Sequence, residues 1–473
     1  MMLTSVPATD RNARRTRWLV HGLWAVMLAQ MIFFVWRYPH SGPIIDEWEF
    51  VPAVTGEEPV IPWLWKLHNE HRFPLPRLVW LPITQIAGDF RAGCWVSMIG
   101  VAGTSLLMTN LARRLRGRLH WADAFFPLSL MNVGHWENLR MGYQVVFMMN
   151  LLFACILLRL VLTTDRGNLL RRAWQTWLVT LLLCGCGAGG LAFAPFMLLW
   201  IVVLAFTAVR AGVVRWNDPR VLGLAGASLL IPLYVWFYMQ GFHRPEHHEH
   251  PLDVWHTIPE VLRQAMRSAL QALPMGFGPA VTGLWPVSGA IVGFVSFELL
   301  LKMVRLTATR TADRPRIIGL LLFFISMLGM AFAIGWGRCV FLTPEGEPGF
   351  MGMSCRYGWI LWPALAVVYF LYLLYGSARQ AKWVPIFLML AVTAMLPFNV
   401  VTGIWYEGEP HREGYNAWEK AVRSGQSDEE LREEFFPHYG GEMRRHFELG
   451  LMLLRQHRFQ FYAPVDPPRR GRP

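Results

Sequence analysis

The sequence predicts an all-α, polytopic membrane protein, and three observations carry that expectation. Only 16% of its 473 residues are charged while 54% are hydrophobic, whereas a soluble domain carries about a quarter charged residues. The apolar residues gather in runs of roughly 17–25, the length that crosses a bilayer as a helix. Lys and Arg collect in alternate connections between those runs, as membrane insertion favours. This pattern excludes a disulfide scaffold, a coiled coil and a disordered chain. It also removes the reading of the +12 net charge as a nucleic-acid surface.

Taken in order, the first apolar run extends from Trp18 to Trp36 behind Arg11, Arg14, Arg15 and Arg17. It lacks the short core and small-residue cleavage site of a signal peptide, so it reads as an uncleaved first span. About 11 transmembrane helices follow from the runs near 18–36, 92–111, 121–136, 143–162, 174–190, 191–209, 221–239, 280–301, 317–337, 357–377 and 383–403. The division at CGCGAGG (184–190) is either a tight turn or a break in a buried helix. Placing the N-terminus in the cytoplasm leaves 22 basic residues inside against Asp10, Asp165, Asp218 and Asp313. The expected setting is a bacterial inner membrane, with the C-terminus periplasmic.

That orientation puts segments 37–91, 240–279 and 338–356 and the tail from 404 outside. Within the first, 75–88 is apolar but short and holds Pro76 and Pro82, so it reads as an interfacial helix. Segment 252–273 has helical periodicity with one polar side and suits a second interfacial helix. The chain thus divides into a transmembrane domain, 1–403, and a short amphipathic tail, 404–473, whose SDEE at 427–430 resembles a capping box.

Four constellations on the outer side could carry chemistry, the first drawn from two strings. IIDEWEF (44–50) supplies Asp46, Glu47 and Glu49, and LHNEHRFPLPRL (67–78) supplies His68, Glu70, His71 and Arg72. Carboxylates beside imidazoles serve proton transfer or metal binding, and His68 and His71, three apart, would share a helix face. The plainer reading is a solvated acidic loop. HWENLRMGYQ (135–144) adds Glu137, Asn138, Arg140, Tyr143 and Gln144; the two amides could orient a hydroxylated ligand, or the cluster could be a cap. Arg338 and Arg356, the latter followed by Tyr357, bracket a loop where paired guanidiniums suit a phosphate, unless each only snorkels to the interface. Cys339 and Cys355 could bridge there in an oxidising compartment. HRPEHHEH (243–250) makes His247, His248 and His250 metal candidates, with Asp46 and Glu137. A divalent metal is left open as cofactor, and no nucleotide is expected, since no phosphate-binding loop is present.

A single span, a long acidic outer loop and interfacial helices before the second span resemble the GT-C superfamily of membrane glycosyltransferases. The similarity is to the group of protein O-mannosyltransferases, lipid A aminoarabinose transferases and their bacterial relatives. It implies a GT-C-like fold in which Asp46, with Glu47 as alternate, serves as base or orients the acceptor. HRFPLPRL (71–78) is similar to the family's basic, proline-containing stretch, Glu137 stands at its second acidic position, and Arg356, then Arg338, would hold the donor phosphate. The implied partners are a polyprenyl-phosphate-linked sugar donor and a lipid, glycan or protein acceptor, joined by an inverting single displacement. The chain departs from the family in lacking a large periplasmic domain and a WWDYG-type motif, and in its HNEHR string. A transporter or flippase for a lipid-linked saccharide, a saccharide polymerase or ligase, and a non-catalytic assembly protein are the alternatives. A transporter needs polar groups near midplane, and here they crowd at one side.

Overall fold

The computed structural model describes residues 10–244, 248–341, 351–437 and 441–463. The described residues are helical apart from turns, with an isolated antiparallel bridge between His68 and His71. We label the longer helices α1 (Asp10–Arg37), α2 (Pro74–Ala87), α3 (Ala92–Arg116), α4 (Val145–Leu162), α5 (Leu169–Cys184), α6 (Ala194–Arg210), α7 (Pro219–Ser228) and α8 (Leu230–Met239). There follow α9 (Ile258–Ala272), α10 (Val287–Thr309), α11 (Arg314–Arg338), α12 (Tyr357–Tyr375), α13 (Ala378–Val401), α14 (Glu409–Arg423), α15 (Asp428–Phe435) and α16 (Gly441–Gln456).

Among the described residues nine helices are long and apolar enough to cross a membrane, where the sequence predicts about eleven. The two others take different forms. The run at 121–136 is broken into the short turns Trp121–Ala124, Phe125–Leu130 and Val133–His135. Its own polar side chains break it: the Asn132 amide donates to the Ser129 carbonyl at 2.8 Å and accepts from Gly134 N at 3.0 Å. A ring nitrogen of His135 lies 3.0 Å from that same carbonyl. Ser129, Asn132 and His135 are fully buried, the setting in which irregular backbone is tolerated at membrane depth.

The second, α5, has only 16 residues. It ends at Gly185, and the glycines then reverse the chain into α6. A Cβ at Gly190 would lie 1.7 Å from the Leu183 carbonyl oxygen, so only glycine permits this turn. CGCGAGG is therefore a tight turn rather than a break within one helix. It sits at the end of the bundle that carries the first long loop, because Leu75 N donates to the Gly185 carbonyl at 3.1 Å.

Segment 75–88 forms α2, whose Leu78 and Ile86 stay exposed, as an interfacial helix requires. Segment 252–273 forms a short helix, Pro251–Trp255, and then α9. The apolar side of α9 lies against α11 so closely that a Cβ at Gly335 would sit 2.1 Å from the Ala265 carbonyl oxygen.

The tail does not stand apart. Helix α13 passes through a π-helical turn, Thr402–Gly408, straight into α14. Helices α14–α16 then fold over the first loop, where Trp48, 1% exposed, meets the rings of Phe447 at 4.9 Å and Trp418, Phe436 and Tyr462 at 6.2–6.4 Å. Ser427 and Glu430 form the expected capping box on α15.

Candidate active site

The chain leaves α1 at Arg37 and enters a 3-10 turn, Ile45–Phe50, which aims two acids one way and Trp48 the other. Ile45 takes φ +47°, a left-handed conformation that costs a β-branched residue about 1–3 kcal/mol. The surroundings over-determine it: Trp48 is clamped by the tail, and Glu47 accepts from Ile44 N and from Tyr143 N, each at 3.0 Å. Glu47 is wholly buried, and burial pushes its pKa up to about 8 against the backbone donors. It is thus a mostly neutral tie between the first loop and residues 142–143.

Asp46 and Glu49 flank one imidazole. His68 Nδ1 lies 2.5 Å from Glu49 Oε2, and its Nε2 lies 3.6 Å from Asp46 Oδ2. Tyr143 donates its hydroxyl to the same Oδ2 at 2.9 Å. Burial disfavours charge at all three groups, but mutual pairing outweighs it. His68 is raised to about 9 by Glu49 and Asp46. Asp46 is lowered to about 2 by His68, Tyr143 and the charge of Arg356, and Glu49 is lowered by His68 and Arg77. The imidazolium is therefore held between two carboxylates. The Tyr143 hydroxyl and His68 Nε2 both approach Oδ2, leaving Oδ1 without a hydrogen-bond partner among the described residues.

Arg356 reaches this group from the N-terminal end of α12. Its Nε pairs with Glu137 Oε1 at 2.8 Å, and Ser354 Oγ joins both, 2.9 Å from Arg356 Nε and 2.8 Å from Glu137 Oε2. Although burial opposes its charge, the carboxylates of Glu137 and Asp46 hold Arg356 firmly protonated. Arg338, at the end of α11, hydrogen-bonds the Tyr357 hydroxyl. The Tyr357 ring thus lies between two guanidiniums, 5.9 Å from Arg356 Cζ and 5.7 Å from Arg338 Cζ.

The remaining expected residues occupy the margins. His68 and His71 do not share a helix face; they pair across a two-residue turn, N to O at 2.8 and 2.9 Å. Asn69 at φ +50° makes that turn possible. Burial lowers His71 to about 4, so it is neutral. Glu70 pairs with His248 Nδ1 at 2.6 Å and is held at about 2, against its burial, by His248 and Arg244. The guanidinium of Arg72 is spent on carbonyls: Trp65 at 2.9 Å, Gln240 at 2.7 Å, and Tyr238. Asn138 donates to the Arg356 carbonyl at 3.2 Å, while its Oδ1 and the Oε1 of Gln144 are buried without hydrogen-bond partners among the described residues.

The metal candidates do not gather. Glu137 is engaged by Arg356, His248 by Glu70, and His250 caps its own helix through Leu252 N at 3.2 Å; His247 lies outside the described residues. Among the described residues no three His, Cys, Asp or Glu side chains form a cation site. Cys339 and Cys355 are free thiols rather than a bridge.

Ser354 escapes sequence reasoning because a lone hydroxyl in a loop carries no signal. Arg77 leaves a faint one, a cation on the apolar run of α2. It is 2% exposed, its Nη1 donates to the Trp63 and Lys66 carbonyls, both at 2.6 Å, and it lies 4.7 Å from the Trp63 and Phe73 rings.

No family model matches the chain, and no curated protein matches it. Among solved structures it is similar to the oligosaccharyltransferase of Archaeoglobus fulgidus tethered with an acceptor peptide containing the NVT sequon. The TM-score is 0.40 and the identity 13%, over 90% of this chain and 59% of that one.

Proposed function

We propose that the chain is a membrane glycosyltransferase of GT-C type. It transfers a sugar from a polyprenyl-phosphate donor to an acceptor on the periplasmic side of a bacterial inner membrane. The observation that carries this reading is the convergence of Asp46 and Arg356. They lie 310 positions apart in sequence, yet each stabilises the charge of the other, and Arg356 is also braced by Glu137. A fixed anion and a fixed cation within electrostatic range of one another divide the work of an inverting displacement.

The acceptor hydroxyl hydrogen-bonds Asp46 Oδ1 and attacks the anomeric carbon. The new bond forms between the acceptor oxygen and that carbon, while the bond from the carbon to the phosphate oxygen breaks. The acceptor proton passes to Asp46, and the bond electrons leave with the polyprenyl phosphate. A carboxylate at about pKa 2 is a weak base, so proton transfer is late, when the attacking oxygen has become acidic. Until then its negative charge stabilises the positive sugar carbon. Arg356, with Arg338 beyond Tyr357, receives the developing phosphate charge. His68 and Glu49 position Asp46, and Glu137 and Ser354 position Arg356.

The test is transfer from a radiolabelled polyprenyl-phosphate sugar in proteoliposomes. Asp46→Asn is expected to abolish transfer while still inserting as a folded chain, with melting lowered by loss of the charge opposite His68. Undiminished transfer by that variant overturns the mechanism, and donor movement across the bilayer without transfer favours a flippase.

A further inference from the structure

At the end of the bundle opposite Asp46, the close of α3 and the close of α4 leave a pocket of about 540 Å³. It is lined by Leu107, Asn110 and Leu111 and by Arg113, Arg114 and Arg159. Arg113 lies 21 residues beyond the start of α3, roughly 32 Å along the axis at the α-helical rise, about one hydrocarbon thickness. The pocket is therefore at the level of lipid headgroups on that side.

These three guanidiniums are exposed, and none of them has a hydrogen bond or an ion pair among the described residues. Arg172, from the start of α5, is within electrostatic range of Arg114, Arg159 and Arg171, so the surroundings add positive charge. The nearby acids are already engaged. Asp123 is held by Arg116 at 2.7 Å, and Asp165 accepts from Asn168 Nδ2 at 2.8 Å and Gly167 N at 2.9 Å. A concave site with an apolar floor, a cationic rim and no carboxylate of its own calls for an amphiphilic anion.

We infer that this pocket binds the phosphodiester headgroup of an anionic glycerophospholipid, with Arg113, Arg114 and Arg159 on the phosphate and Leu107 and Leu111 beneath the start of the acyl chains. The site is independent of the transferase reading, being at the other end of the bundle.

The experiment is native mass spectrometry of the full chain in dodecyl maltoside, titrated separately with dioleoylphosphatidylglycerol, dioleoylphosphatidylcholine and inorganic phosphate. Phosphatidylglycerol is expected to remain bound where phosphatidylcholine is stripped, and inorganic phosphate should not displace it. Arg159→Gln should weaken phosphatidylglycerol retention roughly fivefold, as loss of one surface guanidinium implies, with melting unchanged. Arg310→Gln, at the same end but outside the pocket, should leave retention intact. Equal losses in the two variants would overturn the proposal in favour of diffuse charge. Equal retention of the two lipids would reduce the pocket to an apolar groove, and displacement by inorganic phosphate would make it a soluble-anion site; either result also overturns it.

Discussion

His68 couples the first loop to pH, and His68→Gln tests that coupling. The ring is 7% exposed in its side chain and touches both Glu49 and Asp46. Moving its pKa from 6.5 to about 9 corresponds to about 3 kcal/mol of folding stability. Because the folded value is the higher one, this contribution is complete below pH 6.5 and is lost as pH rises through about 9. Asp46 and Glu49 are lowered on folding, so their contributions decline only in acid and add no slope in that window. Above it, deprotonation leaves two carboxylates facing one neutral ring. The assay is thermal unfolding in liposomes followed by tryptophan fluorescence between pH 6 and 9.5. Glu47, raised to about 8, gives parent and variant a common loss, so the parent should lose about 3 kcal/mol more than the variant across the window, with the variant the less stable at its acid end. A variant with the parent's pH slope would refute the imidazolium bridge.

Two further predictions concern the supports of the site. Glu137→Gln removes the counter-ion of Arg356, and since the pair is partly exposed the cost should be about 1–2 kcal/mol rather than that of a fully buried pair. In the transfer assay the same variant should be slowed at least tenfold, with Glu137→Asp intermediate; equal rates would show that Arg356 needs no brace. Trp48→Ala empties the aromatic clamp beneath the tail and should cost about 3–5 kcal/mol. Limited proteolysis should then cut α14–α16 first, and unchanged resistance there would argue that the tail holds itself.

The parts of the fold legible in the sequence were those set by one-dimensional physics. Run length marks where helices cross, and the alternation of arginine-rich connections marks how they alternate. The run at 121–136 was not legible, because its hydropathy is that of a span while Ser129, Asn132 and His135 redirect its hydrogen bonds. The relation of His68 to His71 was misjudged for a similar reason: Asn69 in a left-handed conformation makes a turn, and spacing alone cannot tell a turn from a helix. At the site, the acids and arginines stood out as charges outside the apolar runs. Their pairing could not be read, since Asp46 with Tyr143 and Glu137 with Ser354 are contacts across the folded bundle. Arg72 and Arg356 are both outer-side arginines in the sequence, and only the carbonyls around Arg72 distinguish a side chain that braces backbone from one that faces a carboxylate.

The passage of α13 into α14 gives one helix from Ala378 to Arg423, 46 residues long. At the α-helical rise it is roughly 69 Å, over twice the thickness of a hydrocarbon layer. Its far arm, beyond the π-helical turn, carries Trp418 against Trp48. Two residues from Trp48 stands Asp46. The last span and the clamp over the first loop thus share one continuous backbone, and the acid of that loop is anchored from the far end of the sequence.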